Sequence, residues 1–166
     1  MTQMRAAPVD QSGRANARVR PTAAGGQTGD QLSVGVDVVS VAEVSAALNR
    51  FGDRYVRRIF TAHEAAYCQA AANVAGARFA ARFAAKEAVV KALEPGCRWT
   101  DWRAIEVRRQ RSGACALVLR GEAATLADRR GIRHIALSMS HEGNLAVAVV
   151  VALGSAPAPH REHRHV

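Results

Sequence analysis

In "ARFAARFAAKEAVVKAL", residues Ala77 to Leu93, the chain keeps both of its lysines, Lys86 and Lys91, around one carboxylate, Glu87. Apart from the histidines, every other basic side chain is arginine. Lysine differs from arginine in being a compact point charge that can deliver a proton or meet a single phosphate oxygen. A site pairing a metal-bound carboxylate with a diphosphate would use that difference. At about 100° per residue, Phe79, Phe83, Glu87 and Lys91 drift slowly along one side of a helix, and Arg78, Arg82 and Lys86 form the neighbouring stripe. A structural reading competes. Glu87 to Lys91 is the favoured direction for an i,i+4 ion pair, which adds a few tenths of a kcal/mol at a surface.

Two other stretches carry chemical potential. Asp37 in "VGVDVV" is a charge inside an apolar run, costly to bury without a partner. An arginine partner, a capping role at the strand end or a bound cation would each resolve it, and Gly35 lets another element approach the backbone there. "SMSH", Ser138 to His141, places hydroxyls and a histidine where a strand meets a turn, suited to a phosphate or to satisfying the turn itself.

The elements that must position these residues are legible from pattern. "LSVGVDVV" reads as a buried strand. Ser40 with Glu43, and Thr61 with Glu64, have the capping-box spacing ahead of "VAEVSAALNRFG" and "AAYCQAAAN", with Gly52 closing the first helix and "RYVRRIF" a short helical piece between. The long helix runs from about Ala75 to Leu93 and is stopped by Pro95 and Gly96. The period then changes. "WRAIEVRRQ" and "CALVLRG" alternate around the turn "RSGA", "EAATLADRRG" is a helix ending at Gly131, and "HIALSMSHEGNLAVAVVVAL" is a closing hairpin turning at Glu142, Gly143 and Asn144. Helices first and antiparallel strands later predict an α+β class.

The chain of 166 residues fits one folded domain, 32–154, between a disordered extension, 1–31, and a His/Arg-rich tail, 155–166. His160, His163 and His165 in that tail lack a fixed geometry for a metal and read as solvated. The formal charge is +9; between Leu32 and Gly154 there are 17 Lys+Arg against 11 Asp+Glu. Such a domain attracts nucleic acid, anionic membrane, phosphorylated small molecules or an acidic protein. Cys68, Cys97 and Cys115, without a CxxC pair, argue against a disulfide framework and read as buried free thiols. The N-terminus lacks a signal peptide's apolar region, and "LAVAVVVALG" is far short of the ~20 residues of a membrane span, so a cytoplasmic protein is expected.

Taken together, "VGVDVV", "IFTAHEAAYC", "ARFAAKEAVVKAL", "WRAIEV" and "LSMSHEGNLAVAVV" resemble, in order and spacing, the holo-acyl-carrier-protein synthase family, the small 4′-phosphopantetheinyl transferases. The resemblance spans about Leu32 to Leu153 and implies a long helix packed on an antiparallel sheet. It also implies a reaction: the serine hydroxyl of an apo acyl carrier protein attacks the diphosphate of coenzyme A, taking the phosphopantetheine arm and releasing adenosine 3′,5′-bisphosphate. By the same resemblance Asp37 and Glu87 are magnesium ligands, and Lys91 lies beside the diphosphate. Arg82, Lys86 and His141 face the nucleotide's phosphates. The base that takes the serine proton is either Glu87 or a water on the metal.

The family is commonly trimeric with the site at the subunit boundary, so a homotrimer is expected. Arg50, Arg54, Arg57 and Arg58 would steer an acidic carrier, or are simply solvated helix faces. The chain departs from the family where a proline often follows the glycine of the first hairpin; Ala114 and Cys115 follow Gly113 instead. Two other readings compete: a relative that binds coenzyme A without transfer, and a basic nucleic-acid-binding domain. The joint presence of Asp37, Glu87 and Lys91 argues against the first. The second would want aromatics interleaved with a basic stripe, and aromatics are scarce.

Overall fold

The first and last apolar runs pair with each other. The computed structural model describes residues 29–93, 99 and 101–155; it opens with strand β1 (Asp30–Ser40) and closes with the hairpin β4 (Ile132–Glu142) and β5 (Leu145–Ser155). Strand β5 is central, antiparallel to both neighbours in the order β1-β5-β4, with Asp37 opposite Ala148. The hairpin turns at Gly143 and Asn144, where Gly143 takes a φ of 54° that suits glycine. Asn144 also anchors the next element. Its backbone and side-chain oxygens accept the N–H groups of Val41 and Ala42 at 2.9 and 2.8 Å, satisfying donors that a helix start leaves open.

Between these strands come α1 (Val41–Phe51), α2 (Asp53–Ile59), α3 (Ala62–Gln69) and the long α4 (Ala75–Leu93). Ser40 caps α1 by accepting the Glu43 N–H at 3.2 Å. The capping box at α3 is complete: Thr61 Oγ1 accepts the Glu64 N–H at 3.3 Å and Glu64 Oε2 accepts the Thr61 N–H at 2.9 Å. A separate two-stranded ladder, β2 (Ile105–Arg109) with β3 (Cys115–Leu119), and α5 (Gly121–Arg129) complete the α+β fold. Among the described residues no helix is long and apolar enough to cross a membrane.

The core lies between α4 and the sheet. Ala84, Ala85, Ala88 and Ala92 of the helix are buried, as are Ala146, Ala148 and Ala152 of β5, so small side chains line both surfaces. The closest approach is at Gly35, where an added Cβ would stand 1.9 Å from the Ala88 carbonyl oxygen. That oxygen is backbone and cannot swing aside. Gly35→Ala is therefore expected to destabilise the protein by about 3 kcal/mol, as overpacking of a tight core does, and urea unfolding measures it. An unchanged midpoint would mean that β1 and α4 separate freely.

Three expectations change. Strand β1 is buried on one side only: Leu32, Val34, Val36 and Val38 are exposed, because the fold places helices on a single face of the sheet. Asp30, Gln31 and Ser155, assigned to the flanking segments, belong to paired strands. Cys68 is buried, whereas Cys115 is only half-buried. Residues 1–28 and 156–166 of the expected tails, Cys97 and the helix stop at Pro95 and Gly96 lie outside the described residues.

Candidate active site

Alternation along β1 turns Gly35, Asp37 and Val39 towards α4. The contact at Gly35 brings the C-terminal half of α4 over Asp37, and Lys91 closes the gap. Lys91 Nζ donates to Asp37 Oδ1 at 2.8 Å and to the Val36 carbonyl at 3.1 Å. The partner that Asp37 requires is thus a lysine of the long helix. Lys91 pairs with this aspartate across the interface, in place of the i,i+4 pair with Glu87. Glu87 stands close by. Burial pushes its carboxyl pKa up, the Asp37 charge pushes it further, and Lys91 opposes both. A carboxylate of another element therefore disfavours the charge on Glu87, and the Lys91 ammonium favours it.

That donor set fits magnesium. Carboxylate oxygens are hard ligands, and two of them suit an ion that keeps several waters and takes others from phosphate. Among the described residues no group of three or more His, Cys, Asp or Glu side chains is placed to hold a metal, so a closed all-protein cage is not on offer. Asp37, Glu87 and Lys91 form the first cluster.

Arg82 and His141 form a second one. Both line a cleft of about 640 Å³ between α4, the β2–β3 turn and strand β4. Arg82 is 2% exposed, and its guanidinium lies 4.2 Å from the centroid of the Tyr67 ring, where Arg78 stacks at 4.7 Å. Its Nη1 donates to the Arg78 carbonyl at 3.2 Å, yet its Nε has no hydrogen-bond partner. A buried donor without a partner is costly, and an anion in the cleft would satisfy it. His141 is exposed, and Ser138, Ser140 and Arg109 line the same space. Sequence reasoning did not single out Tyr67, the platform for both guanidiniums. Its signal was only a tyrosine on α3, and the pairing spans two helices.

Lys86 belongs to neither cluster, which corrects its expected place at the phosphates. It is fully buried, with Nζ donating to Glu64 Oε2 at 2.9 Å, to the Trp102 carbonyl at 2.9 Å and to the Ile105 carbonyl. Glu64 is also fully buried; its second oxygen accepts the Val107 N–H at 3.0 Å. The stripe Arg78, Arg82, Lys86 begins at the cleft and ends in the core. Lys86 thus joins α3, α4 and the start of β2.

On the wheel of α4, Glu87 and Lys91 lie roughly 140–180° from Arg82, on the opposite side of the helix. One cluster faces β1 and the other faces β4, the two outer strands of the sheet. Of the remaining basic residues, Arg50, Arg54, Arg57 and Arg58 are all exposed on α1 and α2, and Arg57 pairs with Asp53 at 3.1 Å.

Known proteins resemble this chain in sequence and in fold. Residues 33–150 match the family model of the 4′-phosphopantetheinyl transferase superfamily. A holo-[acyl-carrier-protein] synthase of Koribacter versatilis is 46% identical over 121 residues, covering 72% of this chain and 96% of that one. Its counterpart in Desulforudis audaxviator is 45% identical over 123 residues, covering 74% and 93%. Among solved structures, a synthase–coenzyme A complex from Chronobacterium ammoniagenes superposes with a TM-score of 0.66 at 32% identity, covering 76% of this chain and 98% of that one. With the family model spanning most of the described fold and these relatives aligning over nearly their whole length, the chain belongs to the 4′-phosphopantetheinyl transferase superfamily and, within it, to the holo-[acyl-carrier-protein] synthases.

Proposed function

We propose that this enzyme moves the 4′-phosphopantetheine arm of coenzyme A onto a serine of an apo acyl carrier protein in a magnesium-dependent reaction, releasing adenosine 3′,5′-bisphosphate. The observation that carries the reading is the contact of Asp37 on β1 with Lys91 of α4, one turn beyond Glu87 on the same helix. Transfer at a diphosphate depends on in-line positioning and charge neutralisation more than on covalent help from the protein. Asp37 and Glu87 would hold magnesium, which when bound would supply positive charge to the diphosphate. The serine hydroxyl gives its proton to a base, Glu87 or a water, its oxygen forms a bond to the phosphorus on the pantetheine side, and the bond to the bridging oxygen breaks. Lys91 neutralises, or protonates, the departing oxygen. Arg82 and His141 hold the nucleotide phosphates, the orphaned Arg82 Nε gaining an acceptor.

The separation of the clusters supports a shared site. One chain presents its carboxylates beside β1 and its arginine cleft beside β4, so two copies meeting head to tail bring unlike halves together. Repeated contacts of that kind close into a ring, in keeping with a homotrimer. The bare apolar face of Leu32, Val34, Val36 and Val38 gives such an assembly surface to bury. The exposed arginines of α1 and α2 offer an acidic carrier a docking face. The buried free thiol of Cys68 suits a reducing cytoplasm.

Intact-mass analysis of a bacterial apo acyl carrier protein, incubated with the enzyme, coenzyme A and magnesium, tests the reading. The expected result is a gain of one phosphopantetheine arm, abolished by EDTA. Bound coenzyme A with no gain on any of several carriers would instead mark a relative that has lost transfer.

A further inference from the structure

Lys91 has two candidate partners at opposite ends of the reaction, and the geometry shows which one it holds. Its ammonium sits 2.8 Å from Asp37 Oδ1, on an oxygen that a metal would also need. We propose that Lys91 is an exchangeable counter-ion: it neutralises Asp37, yields that oxygen to a divalent cation, and transfers its charge to the coenzyme A diphosphate. This rests on the function proposed above and adds a coupling between its two ligands.

The argument is one of charge and reach. The Lys91 ammonium is paired directly with Asp37 and with no other carboxylate among the described residues. Asp37 is largely buried, its side chain 14% exposed, so it needs a cation at all times. A divalent ion on Oδ1 takes over that task and places a like charge beside Nζ, which favours release of the lysine. Lys91 is able to leave. It lies in the last turn of α4 with its side chain 40% exposed, and lysine carries its charge on a flexible four-carbon stem. Without a new partner, release costs the Asp37 bond and the bond to Val36. A diphosphate at the site removes that cost. Metal and coenzyme A then promote each other's binding beyond what direct contact between them supplies, by the same factor in either order.

Manganese is the probe, because the electron-spin signal of the free ion reports its binding without any turnover. Its affinity is measured for the full chain alone, with coenzyme A, and with adenosine 3′,5′-bisphosphate, which lacks the diphosphate. In the parent protein coenzyme A is expected to tighten manganese binding and the bisphosphate is not. In Lys91→Met, manganese binds the protein alone about fivefold more tightly, the size of a partly exposed ion pair. The gain from coenzyme A shrinks by the same factor. Lys91→Gln, equally uncharged, serves as a second variant should the first fold poorly.

If removing the lysine tightens manganese equally with and without coenzyme A, it acts only as a nearby charge and the exchange is overturned. Manganese no tighter on the variants alone overturns it too. Coenzyme A that binds while manganese binds neither protein defeats both the exchange and the metal-dependent reading; bound manganese with an unchanged gain defeats the exchange alone.

Discussion

Glu87→Gln is expected to slow phosphopantetheine transfer by about a thousandfold, the scale of losing a main electrostatic contact to a transition state. Glutamine keeps the shape and one oxygen but removes the charge that a hard divalent ion requires. Coenzyme A binding should survive, because Arg82, Arg78 and His141 lie on the other side of α4. The same geometry predicts recovery from a mixture. Arg82→Gln damages the cleft and leaves the carboxylates untouched. Produced together with Glu87→Gln, it yields assemblies in which an intact cleft of one copy meets intact carboxylates of another. Transfer should then exceed that of either variant alone. No recovery from co-assembled chains would show that each chain completes its own site. The intact-mass assay reads both experiments.

Lys86→Met is expected to cost about 3–5 kcal/mol of stability, the range for breaking a buried ion pair by removing one partner. Burial pulls the Lys86 pKa down, and the charge and hydrogen bond of Glu64 hold against that pull. Without the ammonium, the Glu64 carboxylate is left buried and uncompensated, and the carbonyls of Trp102 and Ile105 lose their donor. Adding Glu64→Gln removes the stranded charge, so the double variant should lie above Lys86→Met in a urea titration. A different outcome would restore the sequence expectation for this residue: Lys86→Met with an unchanged midpoint and weakened coenzyme A binding would place the ammonium at a phosphate.

These two residues mark the limit of what the sequence could say. Glu87 and Lys91 stood out because lysine is rare in this chain, and Asp37 because a charge interrupted an apolar strand. Local rules also carried far: the Thr61–Glu64 capping box and the Gly143–Asn144 turn depend on neighbours a few residues away, and both formed. Lys86 is placed at the phosphates by the family resemblance, and its stripe with Arg78 and Arg82 gives no warning otherwise. Spacing gives the side of a helix, but what covers that side is decided by tertiary packing, here α3 and β2. The same holds for β1, whose valines read alike on both faces until the layers show which face is covered. Glu64 signalled a helix start and gave no sign of its second role, because Val107 and Lys86 are remote in sequence.

Strand order sets a schedule for making the enzyme. The strand partner of β1 is β5, the last described strand, so during synthesis Asp37 emerges early and waits for almost the whole fold to follow. A nascent chain carrying α4 has Glu87 and Lys91 but no fixed place for the aspartate. Pairing of that range is slow, since loop closure precedes the contacts that reward it. In the interval Val34, Val36 and Val38 form an unpaired apolar strand of the kind that invites misassembly. The strand that carries Asp37 is therefore secured late, when β5 joins β1, and assembly of a shared site has to wait for that pairing.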